Sequence, residues 1–281
     1  MKTASVLDIG GTFIKHARFI DGKLDQCSLQ STPARADEDA SCVLDSIASC
    51  IGQTDLACLC MPGPMEYATG KSLMKHKFPA LYGIEIRTEL EKCTQVPCVI
   101  SHDVVSFLAG VMHLGETANS ANPAAITLGT GLGYAHARQG VIQVNDLGSP
   151  AHPLWNEPWQ DGIAEGYVSA RALENHFKRH TGESCSAREI ALRANEGNIE
   201  ARQVFHDMGC VLGELLEKRR HEDGFDAIIL GGQVSRSAAL FLPGMQSKLQ
   251  VPVRVSKYLQ DAALYGAYAM AISIADKLQR Q

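Results

Sequence analysis

The feature that most constrains this chain is a glycine-containing turn that follows a predicted strand at three separate places. The turns lie at Asp8–Lys15, Leu128–Gly133 and Leu230–Ser235. Glycine lets the backbone approach a ligand closely, and the bared amide N–H groups can bind phosphate oxygens. One such turn alone is equally typical of a tight hairpin whose glycines serve geometry. Three in one chain favour a protein that binds phosphate groups.

The order of the predicted elements favours an α/β fold. Apolar runs typical of strands, such as Ala4–Ile9 and Leu56–Met61, alternate with the segment Asp37–Ile51, whose apolar residues have helical spacing. Further helices are predicted at about 162–178 and 199–220. Because strands and helices alternate in both halves, the sequence predicts α/β architecture with two domains.

A small polar segment, Gly115–Asn122, is the candidate linker between the domains. It gives an amino-terminal α/β domain at 1–116 and a carboxyl-terminal α/β domain at 117–281. The last predicted helix, from Asp261 to about residue 278, is free to pack back on the first domain. The first glycine turn then belongs to the first domain, and the other two turns belong to the second.

Composition excludes several classes of function. The net charge of −5 provides no positive field for a nucleic acid, and the basic run at 218–221 is interpreted as the solvated end of a helix. No apolar run approaches the length that spans a bilayer, so no membrane partner is expected. Nine cysteines without a CxxC pair indicate reduced thiols, which are typical of a cytoplasmic protein.

The second glycine turn, GTGLG at 129–133, differs from the better-known phosphate loops. It is not GxGxxG, and it returns into a strand where a dinucleotide-binding fold opens a helix. The chain also contains no GxxxxGK[ST] motif. These departures argue against an NAD enzyme and against a Walker-type nucleotide fold, and they leave a hairpin that holds phosphates.

Six short segments, spread over most of the chain, form an ordered set of motifs. They are DIGGTFIK at 8–15, MPGP at 61–64, LGTGLG at 128–133, DLG at 146–148, EGYVS at 165–169 and LGGQVS at 230–235. As a set they resemble the ROK sugar kinases and repressors, within the actin-like, hexokinase-like ATPase superfamily. The resemblance implies a two-domain actin-like (ribonuclease H-like) ATPase fold with an interdomain cleft.

The resemblance also implies which residues bind the nucleotide and its metal ion. The residues with this expected role are Asp8, Gly10, Gly11, Thr12, Lys15, Gly129, Thr130, Gly131, Gly133, Gly231 and Gly232. A carboxylate beside glycine amides can hold magnesium, so Asp8 is expected to bind Mg²⁺ directly or through water. ATP is the expected donor, and polyphosphate is an alternative because some relatives use it.

Asp103 is the expected catalytic base, because the resemblance places it where the family has the aspartate of an Asn-Asp pair. A kinase needs its attacking hydroxyl positioned and the proton accepted, which suits a carboxylate. The alternative is an ordinary helix N-cap, since Asp103 follows a predicted strand and begins a helical pattern. The implied sugar-binding residues are Gly63, His102, Asp103, Asp146, His152 and Glu165.

The sugar-binding positions depart from the family pattern and leave the identity of the sugar open. His102 stands in place of the usual Asn, Asp146 in place of Glu, and Ser149 in place of His. Glu165 matches a sugar-binding Glu, although it is also compatible with a solvated residue in the first turn of a helix. His152 is either an ordinary loop histidine or a replacement for the missing sugar-contacting histidine.

No zinc site is expected from the sequence. Many relatives hold a structural zinc with a histidine and a cysteine cluster, but the corresponding stretch 155–164 contains no cysteine. His152 alone cannot provide a four-ligand tetrahedral site. Trp155 and Trp159 are expected to pack this loop in place of the metal.

The sequence therefore predicts a cytoplasmic enzyme that phosphorylates a hexose or hexose derivative, with a homodimer as the default assembly. One alternative is a catalytically impaired sugar-binding protein, motivated by the changed residues at 102, 146 and 149. Another is a sugar-responsive regulator. The repressors of the family add an amino-terminal helix-turn-helix domain, and only seven residues precede Asp8 here, so an enzyme is favoured over a regulator.

Overall fold

The structure of the protein is a computed structural model that describes residues 3–259 and 261–279. The chain forms two compact units that are not contiguous in sequence. Unit 1 comprises 3–115, 144–151 and 261–279, and unit 2 comprises 116–143 and 152–259. The segment 144–151 therefore belongs to unit 1, whereas the predicted boundary at 116/117 put it in the carboxyl-terminal domain.

Strands and helices alternate along the chain, which confirms the predicted α/β class. The strands are β1 Thr3–Ile9, β2 Phe13–Ile20, β3 Lys23–Pro33, β4 Leu56–Met61, β5 Met65–Glu66, β6 Lys71–Ser72, β7 Cys98–His102, β8 Pro123–Leu128, β9 Leu132–Arg138, β10 Val141–Ile142, β11 Pro158–Trp159, β12 Gly162–Ile163, β13 Ala227–Gly231 and β14 Val253–Val255. The α-helices are α1 Ala40–Ile51, α2 Ile86–Thr94, α3 Asp103–His113, α4 Ala170–Thr181, α5 Ala187–Asn195, α6 Ile199–Asp223, α7 Ala238–Gln246 and α8 Asp261–Gln279. Short 3₁₀ helices lie at Pro79–Leu81, Ala164–Gly166 and Val234–Ser237.

The sheet of unit 1 has the strand order β3-β2-β1-β4-β7. The pairs β1–β2 and β2–β3 are antiparallel, whereas β4 and β7 run parallel to β1. Its central strands are apolar and almost fully buried, as expected for parallel strands covered on both faces. The register pairs Asp8 with Cys60 and Met61 with His102, so the carboxyl ends of β1, β4 and β7 meet at one edge.

The sheet of unit 2 has the order β10-β9-β8-β13-β14. Here β8, β9 and β10 form antiparallel pairs, and β13 and β14 run parallel to β8. The register pairs Leu128 with Leu132 and Thr127 with Gly231, so the turn between β8 and β9 lies beside the end of β13. Two of the three predicted glycine turns therefore meet at one edge of this sheet.

Each unit contains a pair of helices whose backbones touch at glycines. In unit 1, a Cβ at Gly110 of α3 would overlap the backbone oxygen of Ala262 in α8. In unit 2, a Cβ at Gly209 of α6 would overlap the backbone oxygen of Phe241 in α7. Any side chain at these positions would push the helices apart, so the close packing depends on glycine.

Some predicted elements differ from the observed ones. The helix expected at about 162–178 is instead β12 and a 3₁₀ turn, followed by α4, which begins after Ser169. The side chain of Ser169 caps α4 by accepting a hydrogen bond from the N–H of Ala172, at 3.1 Å. The long strand β3 was not predicted, because Lys23–Pro33 is polar and lacks apolar alternation. It forms as the antiparallel partner of β2 at the sheet edge, where no second face has to be buried.

All nine cysteines are free, and both Cys58 and Cys60 are completely buried in β4. Within residues 3–259 and 261–279, none of the helices combines the length and the apolar character that a bilayer crossing needs.

Candidate functional site

Asp103 is the first residue of α3 and directly follows β7. Its Oδ1 accepts a hydrogen bond from the N–H of Val104 at 2.6 Å and lies 2.8 Å from Nδ1 of His102. The N-cap position belongs to His102, one residue before the position that the alternative interpretation gave to Asp103. The side chain of Asp103 is 37% exposed, and its Oδ2 bonds to no other described residue. One carboxylate oxygen is thus held in place while the other is available to a ligand.

The surroundings of Asp103 favour its charged form. Burial alone would raise the pKa of this carboxyl, but the charge and hydrogen bond of His102, the charge of Lys77 and the Val104 N–H together hold the pKa well below its usual range. The carboxylate is therefore ionised throughout the neutral range. It is a ready acceptor of hydrogen bonds and a weak base.

Asp8 lies near the end of β1, at the same edge of the sheet as Asp103. Burial, and next the negative charge of Asp103, raise the pKa of Asp8 to about 6, although a hydrogen bond from Cys60 and the charge of Lys15 oppose the shift. The Cys60 Sγ lies 3.5 Å from Asp8 Oδ1. The positive charge near Asp8 does not offset its burial and the negative charge of Asp103, so an oxygen-binding divalent cation such as Mg²⁺ fits the site.

Lys15, which the sequence assigned to the nucleotide, forms an ion pair inside unit 1. Its Nζ contacts Oδ1 of Asp261, the first residue of α8. Both side chains are largely shielded from solvent, with 20% and 30% of their surfaces exposed. This pair joins the first hairpin to the last helix, which the sequence motifs did not indicate.

Gly63 lies against the ring of His102. A Cβ at Gly63 would be 3.4 Å from Cδ2 of that ring and 3.3 Å from the hydroxyl of Tyr67. Tyr67 is buried and donates a hydrogen bond from its hydroxyl to the backbone oxygen of Met61, at 3.0 Å. Sequence reasoning missed Tyr67, whose only signal was an aromatic residue shortly after the Pro-Gly-Pro turn. Tyr67 packs against both Gly63 and His102 and so fixes the surface that these two residues form.

The DLG segment is attached to unit 1 through Tyr67. The N–H of Tyr67 donates to the backbone oxygen of Leu147 at 2.9 Å, and Gly148 has a left-handed φ of 83°. A Cβ at Gly148 would be only 3.1 Å from the Cβ of Tyr67. Asp146, the adjacent predicted sugar-binding residue, is exposed and makes no hydrogen bond or ion pair to another described residue. Its carboxylate is available to a ligand.

The first glycine turn leaves two backbone donors without a partner in the described part of the chain. The N–H of Gly10 donates to the backbone oxygen of Phe13 at 3.0 Å and closes the turn. The N–H groups of Gly11 and Thr12 find no acceptor among the described residues. Neighbouring amides of this kind are suited to anionic oxygens.

The second glycine turn has the same property. The N–H of Gly129 donates to the backbone oxygen of Gly131 at 3.0 Å, whereas the N–H groups of Thr130 and Gly131 have no acceptor in the described part of the chain. Thr130 at its tip is exposed. Gly133 is not part of the turn but lies within β9, opposite Thr127.

Glu165 lies in the 3₁₀ turn at Ala164–Gly166 and reaches the second hairpin. Its Oε2 accepts a hydrogen bond from the N–H of Leu132 at 2.9 Å, and a Cβ at Gly131 would overlap this oxygen. Glu165 therefore lies in the first turn of a short helix, as the alternative interpretation held, but its carboxylate is hydrogen-bonded and only partly exposed. Its Oε1 bonds to no other described residue, so one oxygen orients the carboxylate and the other is available.

The third glycine turn touches the base of the second hairpin. Gly232 has a left-handed φ of 83°, and a Cβ at this position would overlap the backbone oxygen of Leu128. The preceding Gly231 ends β13, and its backbone oxygen accepts a hydrogen bond from the Ser235 hydroxyl at 2.6 Å. Within unit 2 the structure thus brings together Glu165 and both glycine turns.

His152 lies in unit 2 and is bound to a residue far away in sequence. Its Nδ1 is 2.6 Å from Oδ1 of Asp223, the last residue of α6. His136 of β9 belongs to the same group, and burial lowers the pKa of its imidazole. Sequence reasoning treated His152 as a lone histidine because nothing in the local pattern points to either partner. Nearby, Trp159 packs against the core of unit 2, whereas Trp155 is 44% exposed.

The two five-stranded sheets have the same strand order, and in each sheet the turn between the first two strands carries glycine amides. This arrangement is that of the actin-like, hexokinase-like class of ATPase folds. A ROK family glucokinase from Streptomyces griseus, solved with glucose and AMPPNP, has this fold with a TM-score of 0.84 at 19% identity, over 96% of this chain and 99% of that chain. The sequence matches the ROK family over residues 4–152 and 159–274. The chain belongs to the ROK family.

Several curated relatives of the chain are named as sugar kinases. An N-acetylmannosamine kinase of Haemophilus influenzae (strain PittGG) is 22% identical over 279 residues, which cover 93% of this chain and 92% of the relative. The fold also occurs in a ROK family transcriptional regulator, described as a homologue of the E. coli MLC protein. That structure has a TM-score of 0.80 at 16% identity, over 98% of this chain and 78% of the regulator. The fold is therefore shared by enzymes and regulators.

Proposed function

We propose that this protein is a kinase that transfers the terminal phosphoryl group of ATP to a hydroxyl of a hexose or hexose derivative. The observation that carries the proposal is the state of Asp103. One of its oxygens is held by His102 and Val104, while the other is available on a partly exposed carboxylate at the edge where Asp8 lies. The names of the curated relatives support the same reaction class.

In this proposal Asp103 orients the attacking hydroxyl and accepts its proton. The sugar oxygen forms the new bond to phosphorus as the bond from phosphorus to the leaving oxygen of ADP breaks. Because the pKa of Asp103 is low, the carboxylate acts chiefly by positioning the hydroxyl until the proton becomes acidic late in the transfer. His102 keeps the carboxylate ionised and oriented.

Asp8 would hold the magnesium ion, directly or through water. Magnesium supplies neutralisation of the charge on the phosphoryl oxygens when it is bound. The chemistry of the site fits, because burial and the charge of Asp103 raise the pKa of Asp8 to about 6, which marks uncompensated negative charge. A hard divalent cation with oxygen ligands relieves this repulsion.

The open backbone amides are the proposed donors to the nucleotide phosphates. Gly11 and Thr12 supply them in unit 1, and Thr130 and Gly131 supply them in unit 2. Gly231 and Gly232 are the proposed adenosine-binding turn. Gly10, Lys15, Gly129 and Gly133 shape the two hairpins around these donors.

The proposed sugar contacts are carboxylates with an available oxygen. They are Glu165 Oε1 and Asp146, together with Asp103 Oδ2. Ionised carboxylates accept strong hydrogen bonds from hydroxyl groups, so they discriminate between hexoses by the direction of each O–H. Gly63 and His102 are further proposed sugar contacts in unit 1, and His152 is a proposed sugar contact in unit 2.

A second candidate is a sugar-binding regulator that does not turn over. The observation in its favour is the histidine next to Asp103, which keeps the pKa of that carboxyl low and weakens it as a base. The fold is also found in the ROK family transcriptional regulator.

The deciding experiment measures ADP release with Mg²⁺ and ATP across a panel of glucose, mannose, fructose, allose, N-acetylglucosamine and N-acetylmannosamine. The products are checked by mass spectrometry for an added phosphate, and polyphosphate is tested as a second donor. The kinase proposal expects one hexose to give turnover that disappears in Asp103→Asn. A hexose that raises the melting temperature without any phosphorylated product, in wild type and variant alike, would instead support the regulator.

A further inference from the structure

We propose that His136, His152 and Asp223 form a binding site for a divalent transition-metal cation such as Zn²⁺. The three side chains come from β9, from the loop after β10 and from the end of α6. One ligand atom from each lies within 4.8 Å of the other two. All three residues belong to unit 2, and none of them is among the carboxylates assigned to phosphoryl transfer.

The distances suit a metal ion with short bonds to nitrogen and oxygen. The Nδ1 of His136 is 3.4 Å from Oδ2 of Asp223, and the Nδ1 of His152 is 2.6 Å from Oδ1 of the same carboxylate. A tetrahedral zinc ion with bonds of about 2.0–2.1 Å separates its ligands by roughly 3.4 Å. The His136 distance already matches, and the half-exposed ring of His152 has room to move outward.

The charge balance around Asp223 provides an independent argument. Its side chain has no solvent exposure, and no Arg or Lys among the described residues pairs with its carboxylate. Arg138 donates instead to the backbone oxygen of Asp223 at 3.2 Å, and Arg219 pairs with Glu157 and Glu222. Buried carboxylates are normally paired with a cation or coordinate a metal. A bound dication supplies the missing positive charge.

A second layer of contacts orients the proposed ligands. The hydroxyl of Tyr134, itself buried, donates to Oδ2 of Asp223 at 2.6 Å. The rings of His136 and His152 are nearly parallel, with centroids 5.8 Å apart and an interplanar angle of 16°. Such outer hydrogen bonds fix ligand orientation in metal sites. Two imidazoles and one carboxylate leave a fourth position for water, which is typical of zinc and related ions.

This ligand set contains no cysteine and so differs from the zinc site that the family resemblance described. The expectation of no zinc site rested on the missing cysteines and on His152 as a single ligand. The fold supplies His136 and Asp223, which lie in other segments of the chain. The metal would fasten the loop that begins at His152, which leads to Trp159 and Glu165.

The test uses untagged protein that has been treated with EDTA and then dialysed. Titration with Co²⁺, followed by visible absorption, and competition with Zn²⁺ measure affinity and stoichiometry. We expect one equivalent per chain in wild type and at least a tenfold loss of affinity in His152→Ala, whose ring is half exposed and not needed for the core. Zn²⁺ should raise the melting temperature of wild type and leave that of His152→Ala unchanged.

Two controls keep the result specific. His221→Ala removes an exposed histidine near the end of α6, the helix that ends at Asp223. His221 lies outside the cluster, so this variant should bind Co²⁺ as wild type does. The double variant His176→Ala/His180→Ala removes an exposed histidine pair with Nε2 atoms 2.8 Å apart, and it should also retain the bound equivalent. The proposal is overturned if wild type binds no stoichiometric Co²⁺ or Zn²⁺, if His152→Ala binds as tightly as wild type, or if the double variant loses the metal.

Discussion

The two sheets have the same strand order: the first strand forms an antiparallel meander with the next two strands on one side, and two strands parallel to it lie on the other side. Both have a glycine turn between their first two strands, with two backbone amides that have no acceptor among the residues that the structure describes. Each unit also has a helix pair that touches at glycines, α3 with α8 and α6 with α7. The same architecture therefore occurs twice in one chain.

The chemistry at corresponding places is different. In unit 1 the strand ends gather the carboxylates of Asp8 and Asp103, and the pKa of each is strongly shifted. In unit 2 the strand ends gather glycine backbone, and the carboxylate of Glu165 is hydrogen-bonded to a backbone amide. A duplicated scaffold can thus support charge-based chemistry in one copy and backbone-based binding in the other, because the loops and strand ends vary while the core stays fixed.

The sharpest test of this division is the substitution Asp103→Asn. Loss of a general base lowers turnover by about 10²–10⁴-fold, and the amide keeps the shape of the side chain. We expect kcat to fall by this amount while the hexose still raises the melting temperature. The measurement is steady-state ADP release, with thermal shift in parallel.

Asp37→Asn is the matched control, because Asp37 is an exposed acid of unit 1 outside the site. It should leave kcat unchanged. Turnover of Asp103→Asn within a few-fold of wild type would mean that the strand ends of unit 1 do not carry the chemistry.

The helix pairs provide the next largest expected effect. In an ordinary helix, Gly→Ala stabilises a protein by about 1 kcal/mol. At Gly110 and Gly209 we expect the opposite sign, a loss of about 2–4 kcal/mol, because the new methyl group overlaps backbone atoms that cannot move independently. Urea denaturation of Gly110→Ala and Gly209→Ala measures both effects.

Gly166→Ala serves as the control, since no atom of residues 3–259 and 261–279 lies within 4 Å of a Cβ at Gly166. If Gly110→Ala is destabilising and Gly209→Ala is not, the two helix pairs are not equivalent and the architectural match is only topological.

A third prediction concerns the pH dependence of stability, which tests the charge-based chemistry assigned to unit 1. The pKa of Asp8 is raised to about 6 in the folded protein, so the stability it contributes is present below its unfolded pKa and is lost as pH rises through about 6. In metal-free protein, Asp8→Asn should therefore be more stable than wild type at pH 8 by about 2 kcal/mol, and nearly equal to it at pH 4. Denaturation at the two pH values measures the difference, and Mg²⁺ should reduce it at pH 8. An equal difference at both pH values would exclude titration of Asp8 as the cause.

The sequence predicted those features that are local in the chain. The turn after β1, the strand β4 and the position of Asp103 between a strand and a helix all follow from apolar spacing and glycine. The pairing of Lys15 with Asp261 and the cluster around Asp223 were not predictable, because they join segments whose spatial neighbours depend on the whole fold. The start of α4 was misplaced because the 3₁₀ turn at Ala164–Gly166 precedes the helix, which begins only after the cap at Ser169.

The smallest expected effect distinguishes two glycines within one turn. A Cβ at Gly131 overlaps Oε2 of Glu165, whereas a Cβ at Gly129 meets nothing within 4 Å. Because the end of the Glu165 side chain can swing away, Gly131→Ala should cost little more than the hydrogen bond to the Leu132 amide, about 1.5 kcal/mol. Gly129→Ala should be nearly neutral in urea denaturation. If Gly131→Ala also raises the KM for ATP while kcat is kept, the backbone of unit 2 binds nucleotide without taking part in the chemistry. If kcat falls instead, the contrast between the two units fails at this turn.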